Sequence, residues 1–303
     1  MKLHPIGVFC RGLLMGAADV VPGVSGGTIA LITGIYQRLI NALVAWDREA
    51  AGLLLTGRWR VFWYRIDGPF VGVLLAGMLT AVFTLASSID WLLSHYPQPL
   101  WAFFSGLILM SGLALVRDET DLASMDGLLL FTVGVALVVT LALMPSLAFP
   151  AGLPGFFFGG ALAICAMILP GISGSFVLLI LGMYPQVLAA VKDVQLLPLG
   201  VFAIGCATGL LAFSRALHWL LARARRRAMA FLGGVLLGSL VSIWPWKVSA
   251  MPGLSDIASD LTRPVLPTHV LVTDPQLGAC IASFLCGVLI VWSLRRGTSW
   301  ING

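Results

Sequence analysis

The chain has 303 residues, 59% of them hydrophobic and only 10% charged. Soluble globular domains carry about 25% charged residues, so a water-soluble core is excluded, and the mean hydropathy of +0.99 points to the bilayer. The net charge of +5 does not argue for nucleic acid, because the bases sit in short loops beside apolar segments, where they orient a membrane protein.

In chain order the apolar segments fall at 5–21, 24–45, 69–88, 98–116, 127–149, 155–169, 172–191, 198–222, 228–246 and 276–294. Runs of about 20 apolar residues are what a spanning helix requires. Residues 1–20 carry no small-residue cleavage site and are read as mature structure. The loop at 46–68 holds Arg48, Arg58, Arg60 and Arg65, the loop at 223–227 reads RARRR, and Arg295 and Arg296 close the last segment. By contrast, 89–97 and 150–154 have no Lys or Arg, and 247–275 has only Lys247 and Arg263. Placing the basic loops inside puts both termini in the cytoplasm. The same parity requires two pairs, 5–21 with 24–45 and 155–169 with 172–191, to leave and return on one side each. Residues 7–20 as a helix cover only about 21 Å, short of the roughly 30 Å hydrocarbon core. A dipping, re-entrant hairpin is the sharper reading for each pair.

Each leading arm ends at a break. "ADVVPGVSGGTIALITGIY" (18–36) aligns without gaps with "AMILPGISGSFVLLILGMY" (166–184), Pro22 falling on Pro170 and Tyr36 on Tyr184. The shared residues include Pro-Gly-x-Ser-Gly and the later Gly-x-Tyr, which marks an internal repeat rather than chance apolar similarity. The two motifs enter from opposite faces, as in the inverted repeats of secondary transporters. The expected fold class is therefore an all-α polytopic membrane protein with an inverted-topology repeat. Each half holds a re-entrant helical hairpin broken at Pro-Gly plus about three transmembrane helices. The halves are 1–149, with its hairpin at 5–45, and 150–303, with its hairpin at 155–191.

After Pro-Gly a helix must restart, with Ser25 or Ser173 as a natural N-cap. The first amides of such a helix lack intrahelical partners and carry the positive end of its dipole. Gly26, Gly27 and Gly174 let a ligand oxygen approach the backbone, and Ser25, Thr28, Ser173 and Ser175 add hydroxyls. Such a terminus suits phosphate or carboxylate; a glycine cluster for close helix packing is the alternative. Asp19 has Met167 as its counterpart and is a candidate for a coupling proton or for holding amides of its own hairpin. Arg38 and Arg215 fall toward the cytoplasmic helix ends, to snorkel or to pair with phosphate. "WPW" at 244–246 reads as an outer-interface anchor. The five cysteines show no zinc or disulfide spacing and read as packing residues. No motif supports a metal, a dinucleotide or any other cofactor.

"AADVVPGVSGGTIALITGIYQRLI" and "ICAMILPGISGSFVLLILGMY", with "GSL" at 238–240 and "WPW", resemble the signatures of a bacterial membrane family. That family was formerly a domain of unknown function and is now described as polyprenyl-phosphate (undecaprenyl-phosphate) transporters. The resemblance implies a multi-pass flippase of the cytoplasmic (inner) membrane. It would return the lipid carrier of cell-wall and peptidoglycan synthesis from the outer to the inner leaflet. The lipid substrate comes from the resemblance; the residues themselves specify only an anion. Membrane undecaprenyl-pyrophosphate phosphatases share inverted re-entrant repeats but carry Pro-Gly-x-Ser-Arg-Ser and nearby glutamates. Here Gly26 and Gly174 take the arginine position and neither hairpin has a glutamate, so hydrolysis lacks its charge stabilisation and base. A channel or exchanger for small anions is the other alternative. No oligomeric state follows from the sequence.

Overall fold

A computed structural model describes residues 4–21, 24–143, 149–150, 152–249, 262–268 and 274–301. The first hairpin comprises α1 (Pro5–Val20), α2 (Gly26–Ile32) and α3 (Tyr36–Val44). Pro5 opens α1, at a position where the missing amide has no intrahelical partner to lose. Pro22 and Gly23, the expected first break, lie outside the described residues. The arm after the break, expected as one segment over 24–45, is itself divided: α2 and α3 meet at 117°. Gly34 supplies the bend with φ +73°, a conformation glycine adopts without steric penalty.

The basic loop at 46–68 is not irregular. It folds into α4 (Arg48–Leu55) and α5 (Trp59–Arg65) over a small core of Ala50, Phe62 and Ile66. Arg65 clamps the pair, 2.7 Å from Asp47 and 2.6 Å from Glu49, and holds the Asp47 carboxyl below the usual range. Next come α6 (Gly68–His95), α7 (Pro97–Glu119) and α8 (Met125–Leu143).

The second hairpin repeats the first as α9 (Leu153–Ile168), α10 (Gly174–Ile180) and α11 (Tyr184–Lys192). Its helices have 16, 7 and 9 residues, the lengths of α1, α2 and α3. The bend between α10 and α11 is 112°, with Gly182 at φ +64°. Then follow α12 (Leu196–Arg223), with 28 residues like α6, and α13 (Arg225–Gly238), which ends in a 3-10 turn at Ser239–Val241. The segment expected at 228–246 is thus a shorter helix. A ribbon of β1 (Lys247–Ser249) and β2 (Thr262–Pro264), two strands of three residues each, precedes α14 (Leu277–Ile301) and departs from the all-α expectation. Among the described residues four helices are long and apolar enough to cross a membrane, namely α6, α7, α8 and α12; counting each bent pair as a span gives six. The fold is that of a multi-pass membrane protein.

Four helix pairs carry the packing: α1 with α6, α9 with α12, α7 with α14 and α8 with α13. One device closes all four. A methyl on Gly12 would stand 2.2 Å from the Leu74 carbonyl oxygen, and one on Gly77 would stand 2.3 Å from that of Phe9. Gly160 and Gly205 meet the carbonyls of Phe202 and Phe157 in the same way. Gly106 and Gly287 meet Phe284 and Phe103, and Gly134 and Gly234 meet Phe231 and Phe131. In each pair, a glycine faces the carbonyl three residues before its partner's glycine. Without a hydrophobic drive between helices in lipid, such backbone contact supplies the attraction, through dispersion and Cα–H···O contacts. This Phe/Leu-x-x-Gly spacing recurs in all four helix pairs, well beyond the hairpins.

Candidate functional site

Residues that follow the first break meet the second hairpin at its break. Ser25 adopts extended N-cap geometry, and its Oγ accepts from the Gly27 amide at 3.1 Å. The same hydroxyl donates across to the second hairpin, its hydrogen shared between the carbonyls of Met167 (3.2 Å) and Leu169 (3.4 Å). Thr28 Oγ1 accepts from the Gly171 amide at 2.8 Å. Tyr36 donates its phenolic hydrogen to the Ile168 carbonyl at 3.0 Å. Ser25 and Thr28 are buried, and Gly27 lies so close to the carbonyls of Met167 and Ile168 that a methyl would stand 2.9 Å from each. The carbonyl end of α9 therefore faces the amide end of α2, two opposite dipole ends in contact.

The two helix starts differ in what meets them. Asp19 Oδ1 accepts from the Gly26 amide at 2.6 Å, so the amides of Gly26 and Gly27 are both held by side chains of their own hairpin. At the equivalent place in the second hairpin Met167 covers Gly174, its Cγ 2.7 Å from where a methyl on Gly174 would sit. Among the described residues no carboxylate takes part there. Ser173 has extended N-cap backbone but makes no side-chain cap bond; its hydroxyl lies 2.8 Å from that of Ser175, which is exposed. A carboxylate thus sits on the α2 start, while the α10 start presents two hydroxyls.

Arg38 and Arg215 are held elsewhere. Arg38 grips Asp67 with two hydrogen bonds, at 2.6 and 2.9 Å, and lies over the Phe70 ring. Arg215 donates to the carbonyls of Leu211 and Trp46. Both tie the first hairpin to its neighbours, and among the described residues neither bonds to those around the breaks. "WPW" differs from a simple lipid anchor. The indole N–H of Trp244 donates to the Val265 carbonyl and that of Trp246 to the Pro275 carbonyl, so both close the loop that follows.

Two spaces adjoin the breaks. A cavity of about 210 Å³ is lined by Ile32, Tyr36, Ser111, Asp118, Glu119, Arg225 and Leu236 among others. It opens at the end of α13 where Arg225 pairs with Glu119, 3.1 Å away. Its lining reaches Leu236, against which Gly171 packs. A second space of about 380 Å³ lies between α12 and α13, bounded by Leu169, Phe213, Leu217, Trp219, Leu220, Phe231 and Leu232. It is almost wholly apolar, and Leu169 is the residue just before the second break. Among the described residues no cluster of His, Cys, Asp or Glu could hold a metal ion.

The contacts of Thr28 and Tyr36 across the breaks could not be read from sequence, although Tyr36 lay within the repeat. Its counterpart Tyr184 is 37% exposed whereas Tyr36 is 3% exposed, so one hairpin uses the position and the other does not.

Comparison with known proteins supplies the family. Residues 15–256 match the family described as VCA0040-like, undecaprenyl phosphate translocase-like. A polyprenyl-phosphate transporter of Vibrio cholerae is 44% identical over 258 residues, covering 81% of this chain and 79% of the relative. A polyprenyl-phosphate transporter of Staphylococcus aureus is 30% identical over 252 residues, covering 78% and 84%. No solved structure matches. With a match over most of its length, this chain belongs to the undecaprenyl phosphate translocase-like family.

Proposed function

We propose that the chain carries polyprenyl phosphate, as undecaprenyl phosphate, from the outer to the inner leaflet of the bacterial cytoplasmic membrane, recycling the lipid carrier of cell-wall synthesis. The reading rests on one observation above others: Ser25 and Thr28, just after the first break, bond to the backbone at the second, beside an apolar space that begins at Leu169. A long prenyl tail is held in the bilayer at about 0.8 kcal/mol per methylene, so only the head has to cross. An apolar space for hydrocarbon next to a polar junction fits such a lipid better than it fits a small inorganic anion.

The two halves, 1–149 and 150–303, form an inverted repeat, and rocking of one against the other moves the junction between faces. The matched helix lengths and the Phe/Leu-x-x-Gly pairs support that reading. The phosphate head sits at the junction, held chiefly by Ser173, Gly174 and Ser175, with Ser25, Gly26, Gly27 and Thr28 framing it from the first hairpin. The second hairpin is favoured because Asp19 already occupies the Gly26 amide. The chain acts without a cofactor and is not a phosphatase.

Flipping of labelled undecaprenyl phosphate in liposomes tests this. Ser173→Phe in folded protein is expected to abolish it, and unchanged transport would reject the site. Chloride flux, or phosphate release from the lipid pyrophosphate, without lipid flipping would replace the transporter reading by a channel or a phosphatase.

A further inference from the structure

We propose that Lys247 and Ser242 form a second binding site, for a phosphate monoester, at the mouth opposite the open cavity. The inference rests on the phosphate-carrying reading above and adds the place where the head is first taken up. At one end of the α7–α13 pair Arg225 is matched by Glu119. At the other end Lys247 stands where the repeat, which maps Gly106 to Gly234, puts the counterpart of Glu119. Its Nζ lies 4.1 Å from the centre of the Trp101 ring and donates to the Ser242 carbonyl at 2.5 Å. Among the described residues no carboxylate lies within ion-pair distance of it.

An ammonium carries three donors, and one carbonyl and a ring face do not use them all. Burial pushes the Lys247 ammonium down to about 8. Beside it the hydroxyl of Ser242 is buried and has no partner among the described residues. Buried polar groups are rarely left so. A cation short of an anion and a hydroxyl short of a bond on the residue it touches ask for the same thing, an oxyanion that accepts from both. An aromatic ring over the cation shields the pair.

The site also lies on a route. Ser242 follows the 3-10 turn that begins at Ser239, and the Ser239 hydroxyl is 3.2 Å from where a methyl on Gly171 would sit. One turn of chain therefore separates the Lys247 mouth from the second break. A head group captured at Lys247 reaches the junction once Trp101 and the Trp244–Trp246 loop contacts part.

Equilibrium binding to the full-length protein in detergent tests the site, with undecaprenyl phosphate, inorganic phosphate and unphosphorylated polyprenol as probes. Lys247→Gln is expected to weaken undecaprenyl phosphate binding roughly tenfold or more, Lys247→Arg less than about threefold and Ser242→Ala roughly threefold. Polyprenol binding stays unchanged in all three. Competition by inorganic phosphate would assign recognition to the phosphate group alone; the Lys247 effect without such competition would assign it to the lipid head. Wild-type protein that binds inorganic phosphate through Lys247 but ignores the lipid would keep the site and reject the carrier reading. Ser242→Ala removes one oxygen and stands in should Lys247→Gln fail to fold. Wild-type affinity in both Lys247→Gln and Ser242→Ala would overturn the proposal.

Discussion

Asp19 and Met167 occupy matched positions yet give the two hairpins opposite characters. The Asp19 carboxylate holds the Gly26 amide at 2.6 Å and puts negative charge beside the junction, whereas Met167 puts a thioether against Gly174. Neutralising that charge should relieve repulsion of a bound phosphate. Asp19→Asn is expected to bind undecaprenyl phosphate several-fold tighter and to lose pH dependence of transport. Weaker binding together with an unchanged pH profile would contradict this. Thr28 answers for stability, since its hydroxyl satisfies the buried Gly171 amide. Thr28→Val should destabilise the protein by about 1–3 kcal/mol, while Thr28→Ser should retain most of the stability. Denaturant titration in mixed micelles measures both. Lys247 adds a pH signature. Its ammonium falls from 10.5 to about 8, so the unfolded chain binds more protons than the folded one between those values. Ligand-free stability should then rise as pH climbs from about 8 toward 10.5, relative to Lys247→Met. Among the described residues the groups facing Lys247 are the Trp101 ring and the Ser242 carbonyl, and neither titrates in that window. At this scale the sequence revealed which residues were unusual but not their partners. Ser25, Thr28 and Asp19 stood out because polar groups are costly at membrane depth. Arg38 looked available to phosphate because Asp67, its actual partner, lies 29 residues away.

At the scale of elements, breaks were legible and bends were not. Pro-Gly announces itself locally, and both leading arms end where it predicts, α1 at Val20 and α9 at Ile168. The bends at Gly34 and Gly182 lie inside continuous apolar runs, where hydropathy gives no warning. Only the positive φ of those glycines marks them. The helices α4 and α5, of 8 and 7 residues, were too short for periodicity to rise above a run of arginines. The Phe/Leu-x-x-Gly contacts were equally hidden, since an isolated Phe and Gly three residues apart is ordinary in an apolar helix. They give a clear prediction. A methyl on Gly106 or Gly234 would stand 2.1 Å from a backbone carbonyl of the partner helix, so neither helix pair can absorb it without moving apart. Gly106→Ala and Gly234→Ala should each destabilise the protein by about 1–3 kcal/mol. Gly200→Ala and Gly278→Ala, with nothing within 4 Å, should be neutral or mildly stabilising. Equal stability across all four, by thermal denaturation in detergent, would remove the glycine contacts as the packing device.

For the molecule as a whole, the two mouths are unequal. One end of the α7–α13 pair opens into a cavity that reaches Leu236 beside the second break, and the other is shut by Lys247 over Trp101 and by two indole hydrogen bonds. On the proposed carrier reading, this is the state open to the basic end. Composition made the membrane class legible, because hydrocarbon leaves few options for backbone. It could not convey that the hairpins touch, because contacts across 132 to 144 residues leave no local trace. The most direct test is a cryo-electron microscopy structure of the full-length protein in lipid nanodiscs with undecaprenyl phosphate bound and the basic-end cavity open. Phosphate density within hydrogen-bond reach of Ser173, Gly174 and Ser175, with the tail entering the space beside Leu169, is the expected result. A head group bound away from both breaks, with the Thr28–Gly171 and Ser25 contacts closed beneath it, would contradict it.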